Sequence, residues 1–426
     1  MKNKKILVLA YAISPTRGSE YSVAWNYVVE MSKDNKLTVL YGASGDYMGD
    51  CEEMENYVNQ HPNSQITFIP VYPNKLANLL NWPNRHHLLV YSFYYAYNVW
   101  QKLAYRKAKE LVADGAFDLI HYVGMIGYRE PGYLWNLGLP YIWGPICGAN
   151  NSSVVLMKNM PLLGKLKHRF RTIANIFQLH YSRRLKKALN ATDILLTATS
   201  ENQRLFKNIH GKDSICIPEN CIIGHIHLNK GKFVNPCKYN LVVIGSLDAR
   251  KSVGILLEAV ARLKFKEMVH VDIVGDGSLK DKLQQYAIKN GLNSLITWHG
   301  KLPRDKAVQV FDSAHLHVIT SISEGNPTTI WEAMSFGVPT LSFDHCGMHD
   351  TLCDGAGILV PIEPPYEANV QGITNAIDVV LAAPERLERL AEATLIRAKK
   401  YTWEIRRKFW NELYDELVMK LDKKRK

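Results

Sequence analysis

The sequence is most informative first in what it lacks. It has no CxxC pair, no apolar run near the length of a membrane span, no G-x-G-x-x-G after its first apolar run, and no Asp or Glu from Pro131 to Thr192. Seven cysteines, an odd number scattered along the chain, argue against a disulfide framework or a zinc site. They read as reduced thiols and give a cytoplasmic expectation. A spanning helix needs roughly 20 apolar residues, and no stretch approaches that. "MKNKK" followed by "ILVLAYAI" imitates a signal peptide, but "SPTRGSE" follows in place of a small-residue cleavage site. A buried first strand is the better reading. The missing glycine fingerprint speaks against a Rossmann-type oxidoreductase. No nucleic-acid-binding module is recognisable, so no nucleic-acid partner is expected.

What is present is an ordinary globular composition, 47% hydrophobic and 22% charged over 426 residues. That length suggests two or three domains with sizeable cores. The net charge of +12 is uneven. In the acid-free stretch, Lys158, Lys165, Lys167, Arg169, Arg171, Arg183, Arg184, Lys186 and Lys187 interleave with Leu162, Leu163, Leu166, Phe170, Ile173, Ile176 and Phe177. Segment 158–187 therefore fits an anionic surface, either a bilayer that it meets peripherally from the inner face or a phosphate-bearing substrate. A solvated helix face is the plainer alternative.

Short apolar runs alternate with helical patterns throughout. "KILVLAYAI", "KLTVLYG", "QITFIPVY", "FDLIHYV", "LPYIWG" and "ATDILLTATS" read as strands of a first domain, 1–216. Residues 75–112 form one long aromatic helical region, read as core by default or as an acceptor-facing or lipid-facing insertion. Pro218, Gly224, Gly231 and Pro236 punctuate 217–240, which reads as a linker. Alternation resumes over 241–400 with "YNLVVIGSL", "VHVDIVGDG", "SLITWHG", "LHVITSIS" and "VPTLSF". Residues 401–426 form an amphipathic helix with a basic end, expected to pack back on the first domain. Strands alternating with helices mean βαβ units. The expected architecture is α/β, with two Rossmann-like doubly wound domains facing a central cleft and ligands beyond the carboxyl ends of the strands.

One stretch carries the most chemistry. In "SEGNPTTIWEAMSFGVPTLS", Glu324 and Glu332 stand eight positions apart around a strand-loop-helix junction. The helix start offers backbone N–H groups and a positive dipole end to a phosphate. Glu324 disfavours a bare phosphate, so it faces something neutral, and sugar hydroxyls fit. Glu332 could hold a ribose diol in the same way. Thr329-Ile-Trp-Glu332 also matches a capping box, which needs no ligand.

This stretch resembles the E-x7-E signature of the retaining family-four (group 1) glycosyltransferases, "SEGxPxxxxEAMxxGxPVV". Pro327, Ala333, Met334, Gly337 and Pro339 fit it as well. Four more segments agree in order: "PENC" (218–221), "GSLDARKS" (245–252), "IVGDGSLKDKLQ" (273–284) and "ITWHGKLPRDKAVQVFDSAHLHVITS" (296–321). The resemblance is close over 205–362 and loose before it. It implies a GT-B fold and transfer of a sugar from a nucleoside-diphosphate donor, with retention, to a glycan or lipid-linked acceptor in surface polysaccharide assembly. By this resemblance Glu332 binds the donor ribose, Glu324 contacts the transferred sugar, and Lys251 with Arg250 steadies the departing diphosphate. Gly245, Ser246, Gly325, Asn326, Pro327, Thr328 and Thr329 line the donor, with Leu302 at the base-binding turn.

The sequence departs from the family at three points. Ser246 stands where an Arg is usual, Asn326 where an apolar residue is common, and Val123 where a second His often follows His121. His121 is a site candidate by its place at a strand end, or a satisfied packing residue. Gly18, in "PTRGSE", resembles the glycine loop that faces the diphosphate, or is a plain βα turn. No D-x-D occurs. That pair is how the other main glycosyltransferase fold holds a divalent ion, so neither metal nor cofactor is implied. A nucleotide-sugar-binding protein without turnover is the non-enzyme alternative.

Overall fold

The computed structural model describes residues 3–425, with side chains to residue 421. The first residues of the signal-like stretch and the basic end of the last helix (423–426) fall outside the described side chains. The chain divides into two units: Met1–Ala149 with Ile176–Glu219 and Trp403–Lys426, and Asn150–Asn175 with Asn220–Thr402.

The first unit holds a seven-stranded parallel sheet. Its strands are β1 (Lys5–Ala10), β2 (Lys36–Tyr41), β3 (Ile66–Pro70), β4 (Leu119–Gly124), β5 (Tyr141–Ile146), β6 (Ile194–Thr197) and β7 (Ile215–Cys216). They run in the order β3-β2-β1-β4-β5-β6-β7. β1 and β4 are apolar at nearly every position because both faces are covered. Leu7 and Leu9 enter one core, while Ile6, Val8 and Ala10 enter the other. The helix Trp403–Arg425 supplies Trp410, Leu413, Tyr414 and Leu417 to that second core.

The second unit repeats the plan with β8 (Tyr239–Ile244), β9 (Val269–Val274), β10 (Ile296–Gly300), β11 (Leu316–Ile319), β12 (Thr340–Phe343) and β13 (Gly357–Val360). Their order is β10-β9-β8-β11-β12-β13. In each sheet the strand order reverses once, between β1 and β4 or between β8 and β11. These are the switch points at which open α/β sheets place ligands.

The expected boundaries need three corrections. Residues 150–175, expected in the first domain, belong to the second unit. Leu156, Met157 and Met160 join its core, and Asn159 donates to Glu258 at 3.0 Å. Residues 220–240, expected as a linker, are packed on the same unit. Ile222 is buried there and bridges to Thr402, and the His227 N–H donates to the Ser335 carbonyl. Punctuating prolines and glycines marked irregular backbone, which here is docked rather than loose. The region 75–112 is two helices, Lys75–Arg85 and Ser92–Asp114, with His87 at a left-handed φ of 57° in the break. Among the described residues no helix is long and apolar enough to cross a membrane.

Candidate functional site

The switch point of the second unit is built by stacked strand ends. The Gly245 N–H donates to Val274, the Gly275 N–H to Gly300, and Leu247 exchanges bonds with Asp276 and Leu279. A Cβ on Gly275 would lie 1.8 Å from the Gly245 carbonyl oxygen, so only glycine permits this stacking. Gly245 has a φ of 154°, and the aliphatic stem of Lys251 crosses the place where its side chain would stand.

The loop after β8 is organised by Asp248. Its carboxylate accepts the Ser246 hydroxyl at 2.7 Å and the backbone N–H groups of Arg250 and Lys251 at 2.8 and 3.0 Å. Burial pushes that carboxyl up, but these hydrogen bonds and the Arg250 charge outweigh it and hold it below its usual range. The loop thereby presents two cations towards the end of β11. Arg250 Nη1 and Lys251 Nζ each lie 2.7 Å from the same Glu324 oxygen, Oε1. Glu324 is only 10% exposed. Burial raises its pKa, and Lys251 and Arg250 lower it further than burial raises it. Serine in place of the usual Arg at 246 therefore leaves a cluster with two cations, because Arg250 reaches the same carboxylate as Lys251.

Glu332 lies in the helix Thr328–Ser335, whose N-cap is Pro327 with no side-chain capping bond. The capping box that the spacing allowed is not formed. Instead Arg304 donates to Glu332 Oε1 from Nε at 3.1 Å and from Nη2 at 2.9 Å. Arg304 opens the helix that follows the half-buried Leu302. Gly325, Pro327, Thr328 and Thr329 are partly exposed in the loop and first turn.

Asn326 departs from its expected role. It is buried, its Oδ1 accepts the Thr351 hydroxyl at 2.7 Å, and its carbonyl accepts from Asn220 at 3.3 Å. Its side chain fastens the loop to the fold rather than facing a sugar. Gly347 completes this packing, since a Cβ there would lie 2.1 Å from the Gly325 carbonyl oxygen.

The first unit's switch point is different. His121, expected as a catalytic candidate, is 0% exposed on β4. One ring nitrogen, Nε2, lies 2.9 Å from the Gly144 carbonyl oxygen, which can only accept, so Nε2 carries the proton. Nδ1 faces the Tyr414 and Tyr27 hydroxyls at 2.6 and 3.0 Å. Burial pushes its pKa down to about 3. His121 is thus a satisfied core residue. Gly18 sits in a loop held by Ser14, whose hydroxyl oxygen accepts from the Thr16 and Arg17 N–H groups and donates to Glu53. A Cβ at Gly18 would meet nothing within 4 Å.

Asp248 and Arg304 had not been singled out in the sequence. The signal for Asp248 was its place two residues before Arg250, where an Asp side chain caps the following N–H groups. Arg304 had no signal of its own, because its partner lies 28 residues away. Among the described residues, no group of three or more His, Cys, Asp or Glu is placed to hold a metal ion.

Comparison with known proteins places this geometry. Residues 229–396 match the family described as glycosyl transferases group 1. The lipopolysaccharide 1,6-galactosyltransferase of Salmonella typhimurium is 33% identical over 99 residues, which span 23% of this chain and 27% of that protein. The crystal structure of HepE of Anabaena in complex with UDP and glucose matches with a TM-score of 0.62 at 15% identity, covering 97% of this chain and 100% of that one. The apo form of the lipopolysaccharide outer core galactosyltransferase WaaB matches with a TM-score of 0.64 at 16% identity, covering 97% and 99%. At such identities the likeness shows the fold alone, and that fold is of the expected GT-B class, with two Rossmann-like α/β domains.

Proposed function

We propose that the chain is a retaining glycosyltransferase that takes a sugar from a nucleoside-diphosphate donor and passes it to a glycan or lipid-linked acceptor in surface polysaccharide assembly. No metal or organic cofactor takes part in this reading. The observation that carries it is the convergence of Arg250 and Lys251 on Glu324 at the β8/β11 switch point. Two cations, held in place by the Asp248 and Glu324 carboxylates, stand where this fold class binds ligands. As a glycosidic bond to a diphosphate breaks, negative charge gathers on the leaving phosphate. Cations fixed by the Asp248 loop stabilise that charge without reorganising. Glu324, relieved of part of its pairing, accepts hydrogen bonds from sugar hydroxyls. Glu332, oriented by Arg304, takes the ribose diol. The match to glycosyl transferases group 1 supports the reading, as do a neighbour crystallised with UDP and glucose and a relative that acts on lipopolysaccharide.

The test is release of nucleoside diphosphate from UDP-, ADP- and GDP-sugars by purified protein, with the anomeric configuration of any product read by NMR. Release, with retained configuration in a transfer product, supports the reading. Tight binding with no release from any donor would instead favour a nucleotide-sugar-binding protein.

A further inference from the structure

The helix Leu162–Tyr181 is amphipathic in the inverted sense over its first fourteen residues. Gly164, His168, Arg171 and Asn175 recur at helical spacing on the side turned to the protein. The first three are half-buried and Asn175 is buried. That polar side is fastened: Asn175 donates to Asn151 Oδ1 at 3.1 Å, and Ser152 pairs with His168 Nδ1 at 3.3 Å. The opposite side carries Leu162, Leu163, Leu166 and Ile173, exposed by 73%, 80%, 55% and 60%. Phe170 is exposed on the same side. A surface helix of a protein surrounded by water does the reverse, because exposed apolar area is unfavourable and buried polar groups need partners.

We infer that this face is a docking surface for a bilayer carrying anionic headgroups, with the helix lying in the interface and not crossing it. Lys165, Lys167 and Arg169 flank the apolar stripe, and no acidic residue lies anywhere from Pro131 to Thr192. Long cationic side chains beside an apolar stripe suit an interface, with stems in the apolar layer and charges among phosphates. The same cations disfavour a second copy of this chain as occupant. A two-fold contact through this face would set like charges against each other. The face belongs to the second unit, and its His168 is within electrostatic reach of Arg250 and Asp248. The inference rests on the helix and not on the glycosyltransferase reading.

The test is co-sedimentation of the full chain with large vesicles of phosphatidylglycerol and phosphatidylcholine, or of phosphatidylcholine alone. The wild-type protein is expected to pellet with the anionic vesicles at low salt and to release about tenfold or more as salt rises towards 1 M. The triple variant Leu163→Glu, Leu166→Glu, Ile173→Glu is expected to lose pelleting while keeping its thermal melt, since these side chains are exposed. Lys167→Glu with Arg169→Glu gives a second measure, with weaker binding and a shallower salt dependence. Failure of the wild-type protein to pellet at low salt would overturn the inference. So would pelleting unchanged by the triple variant, or a dimer seen by analytical ultracentrifugation that this variant dissociates.

Discussion

The two units share a strand order and differ in what stands at their switch points. In the second, the loop after β8 turns two cations onto Glu324, and the helix after β11 sets Glu332 against Arg304. In the first, the strand beyond the reversal carries a histidine sealed under two tyrosines, and the glycine loop after β1 is held by Ser14 and Glu53. The same topology offers a crevice twice, and side chains decide what chemistry each can do. A buried histidine stands on the strand after the reversal in both, His121 on β4 and His317 on β11. Such a histidine is thus part of the shared framework, and the cations belong to one unit.

Substitutions sharpen that contrast, the strongest first. Lys251→Ala is expected to lower the rate of donor turnover about 10²–10³-fold, the scale for removing one fixed group that stabilises transition-state charge. Glu332→Ala is expected to weaken nucleotide binding about tenfold, as for a lost hydrogen bond to a charged group, with a smaller effect on the rate constant of the bound complex. His121→Leu is expected to destabilise the fold by about 1–3 kcal/mol, because it leaves buried tyrosine hydroxyls and a carbonyl short of partners. Turnover per folded molecule should hold. A loss of turnover with an unchanged melt would break the comparison, since it would return the first unit's histidine to the chemistry.

Acid should act on the buried histidine of each unit in the same direction. Burial pushes His121 and His317 down to about 3, and Lys251 adds to the effect at His317. The unfolded chain protonates them near 6.5, so below that pH it binds more protons than the folded chain. Their neutral burial is fully tolerated above about 6.5. Stability then falls as pH drops towards 3, by up to about 1.4 kcal/mol per pH unit for each histidine. Chemical denaturation at pH 7, 6 and 5 of the wild-type protein and of His121→Leu isolates this histidine's share, and the variant should lose less stability on acidification.

The second unit was far more legible in the sequence than the first. Continuous apolar strands and glycine turns fixed the alternation, because parallel strands are buried on both faces. The Glu324–Glu332 spacing marked the site's loop and helix, since both acids lie on one local segment. What was hidden depended on distant partners. The Arg304 contact with Glu332 and the burial of Asn326 against Thr351 are tertiary choices that no local pattern carries. His121 was ambiguous for the same reason, because its tyrosine partner Tyr414 lies 293 residues further on. Residues 150–175 looked like a continuation of the first domain, yet Leu156, Met157 and Met160 bury themselves in the second.

In the proposed function the Arg250–Lys251–Glu324 cluster receives a nucleoside-diphosphate donor. A thermal-shift series of the wild-type protein with UDP, ADP and GDP and their sugars tests it most directly, run beside Lys251→Ala. Ligand that binds only the folded state raises the melting temperature by mass action. One nucleoside diphosphate is expected to raise the wild-type melt, and Lys251→Ala to reduce the rise strongly. No shift with any of them at millimolar concentration, or an equal shift in the variant, would contradict it.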